Sequence, residues 1–486
     1  MTRGVVTRGL PAIALVALLG GCAMGPNYKR PEMNSPAEYR FVEGPAEAAS
    51  LADLPFWQVF DDPVLQDLIR EAIANNLDLR VATARVDEAR AIAGVVKSFL
   101  YPAINGFGEY NAQQVSQNAQ PPQDVNGDRT FQNTSIGFTL SWEIDVFGRV
   151  RRLNEAAFAR FLATEQGRRG VLVSLVGDVS SGYFLLRQFD RQLEIAYETL
   201  KLNDDTVAYY RVRLEGGLSN QLEVNQAVAN RAITAASIPD IERQIALTEN
   251  ALSVLLGRPP GPIPRGAGIE TAPPPEVPAG LPAQLLERRP DVVQAEELLV
   301  AANADIGAAK ALFFPSISLT GLLGAVSGEV SSLLKSGSTV WSVTPGIFQP
   351  IFQGGRIKRN YEASLARNEQ ALAQYRQAAL NGYREVSDAL ITIQKLAAAR
   401  VELEYGVEAL RQASDLSRLR YDTGLSSYLE ILIADQNLFQ QELQLAKTEG
   451  DQHIAVSQLY RALGGGWAPE EATQEPDKTA DGGKNP

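Results

Sequence analysis

One cysteine and one histidine stand among 486 residues. A single cysteine excludes any disulfide within the chain. The lone His453, between Gln452 and Ile454 on a helical stretch, reads as an ordinary helix residue and not a catalytic one. No Ser-His-Asp set, metal-ligand cluster or Gly-rich phosphate loop stands out, so no catalytic, cofactor or metal site is expected. Basic clusters are scarce too. Lys and Arg number 45 against 57 Asp and Glu, a formal charge of −12, which disfavours nucleic acid as a partner and would give any channel an acidic lining. Long hydrophobic runs are missing. The one clear run, 10–19, is half the roughly 20 residues of a membrane-spanning helix. If such a chain crosses a membrane, it does so with strands. Proline, finally, is absent from 149–215 and 356–422, two stretches of 67 residues.

Those two stretches are copies. They lie 207 positions apart, and similar turns follow them: Arg213-Leu-Glu-Gly-Gly-Leu-Ser-Asn-Gln-Leu-Glu223 and Arg420-Tyr-Asp-Thr-Gly-Leu-Ser-Ser-Tyr-Leu-Glu430. Upstream, Asp78, Ala82, Ala89, Gly94, Lys97, Pro102 and Ile104 recur at an offset of 213 as Asp291, Ala295, Ala302, Gly307, Lys310, Pro315 and Ile317. The change of offset places a variable loop between Pro102 and Gly148, because indels are tolerated in loops. A helix of 67 residues would be about 100 Å long, which suggests a tube or stalk. The predicted organisation is a segment 22–61, a first repeat 62–257, a Pro-rich connector 258–290, a second repeat 291–464 and a tail 465–486. The first repeat contains a β-hairpin over 102–147, a long helix 149–215 and a return helix 219–256. The second contains a hairpin over 315–352, a long helix 356–422 and a return helix 426–463. The connector holds 10 of the 27 prolines and is expected to be irregular.

The first 21 residues have the form of a secretory signal, with Arg3 and Arg8, a short apolar core and small residues before the cut. Leu19-Gly20-Gly21-Cys22 resembles the lipobox of bacterial lipoproteins. That resemblance implies an N-acyl diacylglyceryl lipid on Cys22, and Ala23, in place of Asp, points to the outer membrane. Removing the signal takes away two Arg and no acid, leaving a charge of −14.

Residues 134–146 alternate strictly. Ile136, Phe138, Leu140, Trp142, Ile144 and Val146 are apolar, with Ser135, Thr139, Ser141, Glu143 and Asp145 between them. About 11 residues of period two is the length of a tilted membrane strand. A second extended run, 102–110, precedes the polar loop 111–129, and the second copy offers 316–323 and 339–348, with Pro345 inside the latter. Four strands cannot close a barrel, and an open edge is not tolerated in lipid. If these strands span a membrane, several chains must pool them.

Along the first long helix, Leu172, Val179, Leu186, Leu193 and Leu200 recur every seven residues, with Val176, Tyr183 and Tyr197 beside them. Ala379, Val386, Ile393 and Val407 do so in the second, interrupted by Arg400. Such a repeat fits coiled-coil packing or the core of a bundle. Gly216-Gly217 and Gly424 end the long helices, Ser219 and Ser426 are placed to cap the return helices, and Pro239 is expected to kink or restart the first of them.

Trp142-Glu-Ile-Asp-Val-Phe-Gly-Arg149, Asn76-Leu-Asp-Leu-Arg80, Arg289-Pro-Asp291, the two turns and Ala462-Leu-Gly-Gly-Gly-Trp467 together resemble the TolC-like outer-membrane factors, in the lipoprotein branch of OprM/NodT type. The resemblance covers essentially the whole chain. It implies a membrane α+β fold: a homotrimer whose four strands per chain close a 12-stranded outer-membrane β-barrel. A long periplasmic α-helical barrel would continue it, with a mixed equatorial domain. It implies the exit duct of a tripartite efflux or export system, partnered by a periplasmic adaptor and an inner-membrane transporter of RND type, and in contact with outer-membrane lipids. By the same resemblance the periplasmic gate falls on Glu223, Tyr421, Ser426, Glu430 and Ile433, with Tyr421 bonded to Glu223. The adaptor-contacting tips are Gly217, Leu218, Ser219, Gly424, Leu425 and Ser426. Two positions depart from the family pattern. Ser426 replaces a basic residue and Ile433 an aspartate, which puts one gate salt bridge and the acidic constriction in question. The rival reading is a structural or adaptor-type helical lipoprotein without a channel. Such an adaptor would carry lipoyl-like β-repeats and lack two alternating strand pairs.

Overall fold

The computed structural model describes residues 23–41, 59–114, 116, 130–266 and 282–465. Cys22, the signal, residue 467 and nearly all of the tail lie outside the described residues, as does most of the loop expected between the first two strands. In chain order the elements are α1 (Pro63–Asn75), α2 (Leu77–Ser98), β1 (Ala103–Gln114), β2 (Thr130–Ile144), α3 (Arg149–Glu215) and α4 (Gln221–Leu255). Then follow α5 (Pro282–Arg288), α6 (Pro290–Ala311), β3 (Ser316–Ser327), β4 (Thr339–Phe348), α7 (Arg356–Asp422) and α8 (Tyr428–Ala462). Both long helices have the predicted 67 residues.

Two compact units are present. The first gathers the described parts of 1–32, 85–165 and 294–375, and carries the sheet. Its four strands are antiparallel in the order β1-β2-β3-β4, so β2 and β3 join the two copies. The register sorts the side chains into two faces. Ile104, Leu140, Gly321 and Val343 lie in one row; Phe138, Leu323 and Trp341 lie in another on the same face. That face is apolar and exposed, with Phe138 60 % and Trp341 74 % accessible. The opposite face carries rows such as Asn105, Thr139, Leu322 and Ser342, and is mostly polar. Apolar on one side and polar on the other is the pattern of a transmembrane barrel wall. Gly137 pairs with Gly324 because a Cβ at Gly137 would stand 2.5 Å from the Leu323 carbonyl oxygen. Pro345 lies on β4, the last strand of this chain's sheet, opposite Leu319.

The second unit gathers the described parts of 33–84, 166–293 and 376–486. Its largest core joins Leu65, Tyr183, Leu186, Val386 and Leu459. The heptad seam of α3 is buried at Val179 and Leu186, and Leu193 and Leu200 pack half-buried on a second cluster. Tyr197 departs from it: the ring is exposed and its hydroxyl donates to Glu242 at 2.8 Å. In α7, Ala379, Val386 and Val407 are buried, and Arg400 is tolerated because it pairs with Glu404. His453 is a core residue, stacked on Phe184 at 4.7 Å.

The copies share a joint. Asn76 ends α1, and its Oδ1 caps α2 by accepting from the Leu79 amide. Its Nδ2 donates to the Leu255 carbonyl at 2.9 Å. Arg289, 213 positions on, donates to the Ala462 carbonyl at 2.8 Å. Ala462 is the counterpart of Leu255 at the offset of 207. Repeat-equivalent residues thus bind repeat-equivalent helix ends with different side chains.

Several expectations need correction. The connector 258–290 is not wholly irregular: α5 forms there, led by Pro282 at its first position and held by buried Leu285. Pro239 does not restart α4, which continues through it from Gln221 to Leu255, with the ring on an exposed face of the helix. The segment 22–61 is not one piece, since residues 23–32 belong to the sheet-bearing unit. The return helices span 221–255 and 428–462 instead of 219–256 and 426–463. Among the described residues α3 also holds a window apolar enough by composition to cross a membrane, with 44 % of it buried. Its apolar content is accounted for by the core seam.

Candidate functional site: the helix tips and the base of the sheet

The tips are built by the turn chemistry. Gly217 (φ 72°) and Gly424 (φ 76°) adopt the left-handed conformation. The Leu218 amide returns to the Arg213 carbonyl at 2.8 Å and Gly217 to Leu214 at 3.0 Å; Leu425 to Arg420 and Gly424 to Tyr421 repeat the pattern at 2.8 and 2.9 Å. These are Schellman closures, which supply partners for the last carbonyls of each long helix. Leu218 and Leu425 project from the turns, each 71 % exposed.

Capping falls one residue later than expected. Asn220 accepts from the Glu223 amide at 3.1 Å, and Ser427 occupies the N-cap of α8 without a side-chain cap bond. The Schellman closure uses 217 and 218, so Ser219 is left outside the helix and donates to Glu223 Oε2 at 2.5 Å. The Ser426 hydroxyl is shielded and has no hydrogen-bond partner.

The two tips are tied through tyrosines. Tyr421 donates to Glu223 Oε2 at 3.3 Å. Tyr421, Tyr210 and Tyr428 cluster with ring separations of 5.6 Å (Tyr210–Tyr421) and 4.4 Å (Tyr210–Tyr428), buried with Val207, Val224 and Ile431. Arg213 stacks over Tyr209 and Tyr421 and donates to the Tyr209 hydroxyl, which donates in turn to Asp422 at 3.0 Å. Burial pushes the Tyr428 hydroxyl up to about 12 and raises those of Tyr210 and Tyr421 as well. The cluster therefore stays neutral and keeps its donors at neutral pH. Sequence reasoning missed Tyr210 and Tyr428. Their only signal was position, two turns before the first tip glycine for Tyr210 and one turn after the second for Tyr428, since their counterparts Ser417 and Gln221 are not aromatic.

The acids at 223 and 430 are not equivalent. Glu223 faces hydroxyl donors, whereas Glu430 is paired with Arg420 at 3.3 Å. Arg213, the counterpart of Arg420, is spent on Tyr209 and the Leu218 carbonyl. Ile433 is half exposed on α8.

At the base of the sheet, the stretch 142–149 is a joint between strand and helix. Trp142 donates to the Leu100 carbonyl at 3.1 Å. Glu143 receives Arg149 through two bonds of 2.8 and 2.5 Å. Asp145 accepts from the amides of Val150 and Arg151, capping α3, and Phe147 stacks on Phe314 at 5.0 Å. Gly148 takes φ 76°, and a Cβ there would meet Ala23 Cα at 2.6 Å. Arg152 holds the same N-terminal strap through the Met24 carbonyl and Asn27 Oδ1, and Tyr28 and Arg30 bind Glu296. The residue that follows Cys22 is thus fixed beside the last turn of the strand–helix joint.

A sheet with one apolar and one mostly polar face, together with long paired helices closed by tied turns, defines a membrane channel subunit. The chain belongs to the outer membrane efflux protein family, whose profile matches residues 68–258 and 281–465. It is 36 % identical over 472 residues to the solvent efflux pump outer membrane protein SrpC of Pseudomonas putida, covering 95 % of this chain and 98 % of that one. A crystal structure of CusC superposes with a TM-score of 0.83 at 34 % identity, covering 92 % of this chain and all of the other. The open-state MtrE channel of Neisseria gonorrhoeae does so with a TM-score of 0.83 at 30 % identity, covering 92 % and 98 %. The fold class is that of the trimeric outer-membrane efflux channels, with helical and sheet regions. The protein is an outer-membrane efflux channel that extends into the periplasm. The family is one of transport proteins and not of enzymes. A channel-free adaptor-type lipoprotein, the rival reading, is set aside by the same matches.

Proposed function

We propose that three copies of this chain pool their sheets into a 12-stranded barrel and serve as the exit duct of a tripartite pump. A periplasmic adaptor and an inner-membrane transporter, of RND type, would hand substrate to the tips. The observation that carries this is the four-stranded sheet. Its apolar face suits lipid and its polar face a water-filled lumen, while β1 and β4 leave edges that lipid does not tolerate. Catalysis has no place in this reading. Glu223, Tyr421, Ser426, Glu430 and Ile433 would form the periplasmic gate, and Leu218 and Leu425 would contact the adaptor. Cys22 would carry the lipid, with the strap at 23–30 holding it beside the sheet base. Relatives are named for solvent, toluene, antibiotic or cation efflux. Such varied cargo on one fold supports a duct whose cargo is chosen by the pump. Unboiled gels and planar bilayers test the reading: heat-modifiable trimers with single-channel conductance are expected. A monomer that conducts nothing would overturn it.

A further inference from the structure

The mostly polar face of the sheet is interrupted by an apolar patch. Phe107 on β1, Leu322 and Val326 on β3 and Val340 on β4 fall on that face, in three adjoining rows of the register. The middle row runs Phe107, Gly137, Gly324, Val340, so no side chain stands between the ring and the valine. The strands approach too closely there for one: a Cβ at Gly324 would stand 2.9 Å from Gly137 Cα. Phe107 is half-buried, whereas every other residue of β1 is exposed. Polar rows bound the patch, with Ser141, Thr320 and Thr344 on one side and Asn111 and Asn133 on the other. Lipid does not account for it, because lipid suits the opposite face.

Charge lies beside the patch. The four strands hold two charged residues, Glu109 and Glu143, and both are carboxylates on this face. Glu143 is taken by Arg149. Glu109 is exposed, and no basic side chain among the described residues pairs with it. It sits two residues from Phe107 on the same face, about 7 Å along the strand. An aromatic ring, a flat glycine floor and a free carboxylate at that spacing suit a ligand with an aromatic body and a positive charge. An inorganic cation would find only the carboxylate there, and a neutral aromatic only the ring.

We propose that this patch is a contact site for organic cations with an aromatic body, in which Phe107 and the Gly137–Gly324 floor take the ring and Glu109 takes the charge. The inference rests on the barrel reading, which makes this face the lumen, and deepens it by naming a place where cargo dwells. Three copies would set three such sites around one passage. Binding there is weak, since a duct has to release what it holds.

Saturation-transfer NMR on purified trimers, with empty micelles subtracted, reads such binding whether or not the periplasmic end is open. Benzyltrimethylammonium is the probe, and tetramethylammonium and benzyl alcohol are its halves. The whole probe is expected to bind more tightly than either half. Phe107→Leu and Glu109→Gln are each expected to weaken it about five-fold while heat-modifiable trimers persist. Val340→Ser repeats the test should Phe107→Leu not assemble. Tyr110→Leu, on the opposite face of β1, is expected to change nothing. Unchanged affinity in assembled Phe107 and Glu109 variants would overturn the site and leave the barrel standing. Equal binding of either half, or a loss confined to Tyr110→Leu, would also overturn it. Absence of trimers in the wild type would overturn the barrel reading itself.

Discussion

The hydroxyl of Tyr421, at the end of the second long helix, donates to the carboxylate of Glu223, just past the turn of the first, at 3.3 Å. Residues 198 positions apart thereby join the two tips. The same carboxylate oxygen also accepts from Ser219, so one acid holds its own turn and the other turn together.

Tyr421→Phe removes that donor and leaves the ring in its cluster. A hydrogen bond to a partly shielded carboxylate is worth about 1 kcal/mol here, or about a five-fold rise in the population of separated tips. Single-channel recording is expected to show a leakier resting channel. An unchanged closed-state conductance would mean that packing of the tyrosine rings holds the tips without the bond.

The two acids are expected to differ in the pore. Glu430 is partly neutralised by Arg420, whereas among the described residues the Glu223 carboxylate accepts from the Ser219 and Tyr421 hydroxyls. Cation preference in bilayers is therefore expected to fall more with Glu223→Gln than with Glu430→Gln, and to rise with Arg420→Ala. Anion preference in the wild type, or no change in the Glu223→Gln/Glu430→Gln double variant, would reduce both to solvated helix charges.

The faces of the sheet are expected to tolerate charge unequally. Phe138→Lys and Leu323→Arg place a cation on the apolar face, at a cost of about 2–4 kcal/mol if they lie near mid-membrane. Thr139→Lys, one residue along β2, points to the polar face. Heat-modifiable trimers are expected to be lost in the first two and retained in the third.

Arg289 is 7 % exposed and bonds Asp291, Glu385 and the Ala462 carbonyl. Both acids remain partly solvated. Arg289→Ala is therefore expected to cost about 2–3 kcal/mol, below the range for fully buried pairs. Asn76→Ala, which loses neutral bonds only, is expected to cost about 1–2 kcal/mol. Thermal dissociation of the assembly followed by gel shift ranks the two, and equal losses would deny the ion pairs any share.

Cys22 is expected to be the mature N-terminus and to carry lipid, and mass spectrometry of the membrane-purified protein reads this directly. Cys22→Ser is expected to retain export, because the barrel anchors the assembly by itself. Loss of pump function in a correctly assembled Cys22→Ser protein would contradict that.

The sequence alone determined the duplication, the bounds of both 67-residue helices, the alternation of β2 and the two glycine turns. These are local or periodic properties. Proline exclusion, period two and a left-handed glycine act through the backbone of the residues concerned. The tertiary structure alone decided what long-range geometry sets. Propensity favours serines 219 and 426 as caps, yet the closure of each turn moves the cap to 220 and 427. Proline propensity alone allows a restart at Pro239, yet the packed helix runs on through it to Leu255. Glu223 and Glu430 look alike in sequence and differ in space, because Arg420 reaches its acid while Arg213 is drawn to Tyr209. Tyr210 and Tyr428 have no aromatic counterpart at the repeat offset, so only their meeting across four helices marks them. A repeat specifies equal backbones, and the partners each side chain finds depend on which other helix arrives beside it.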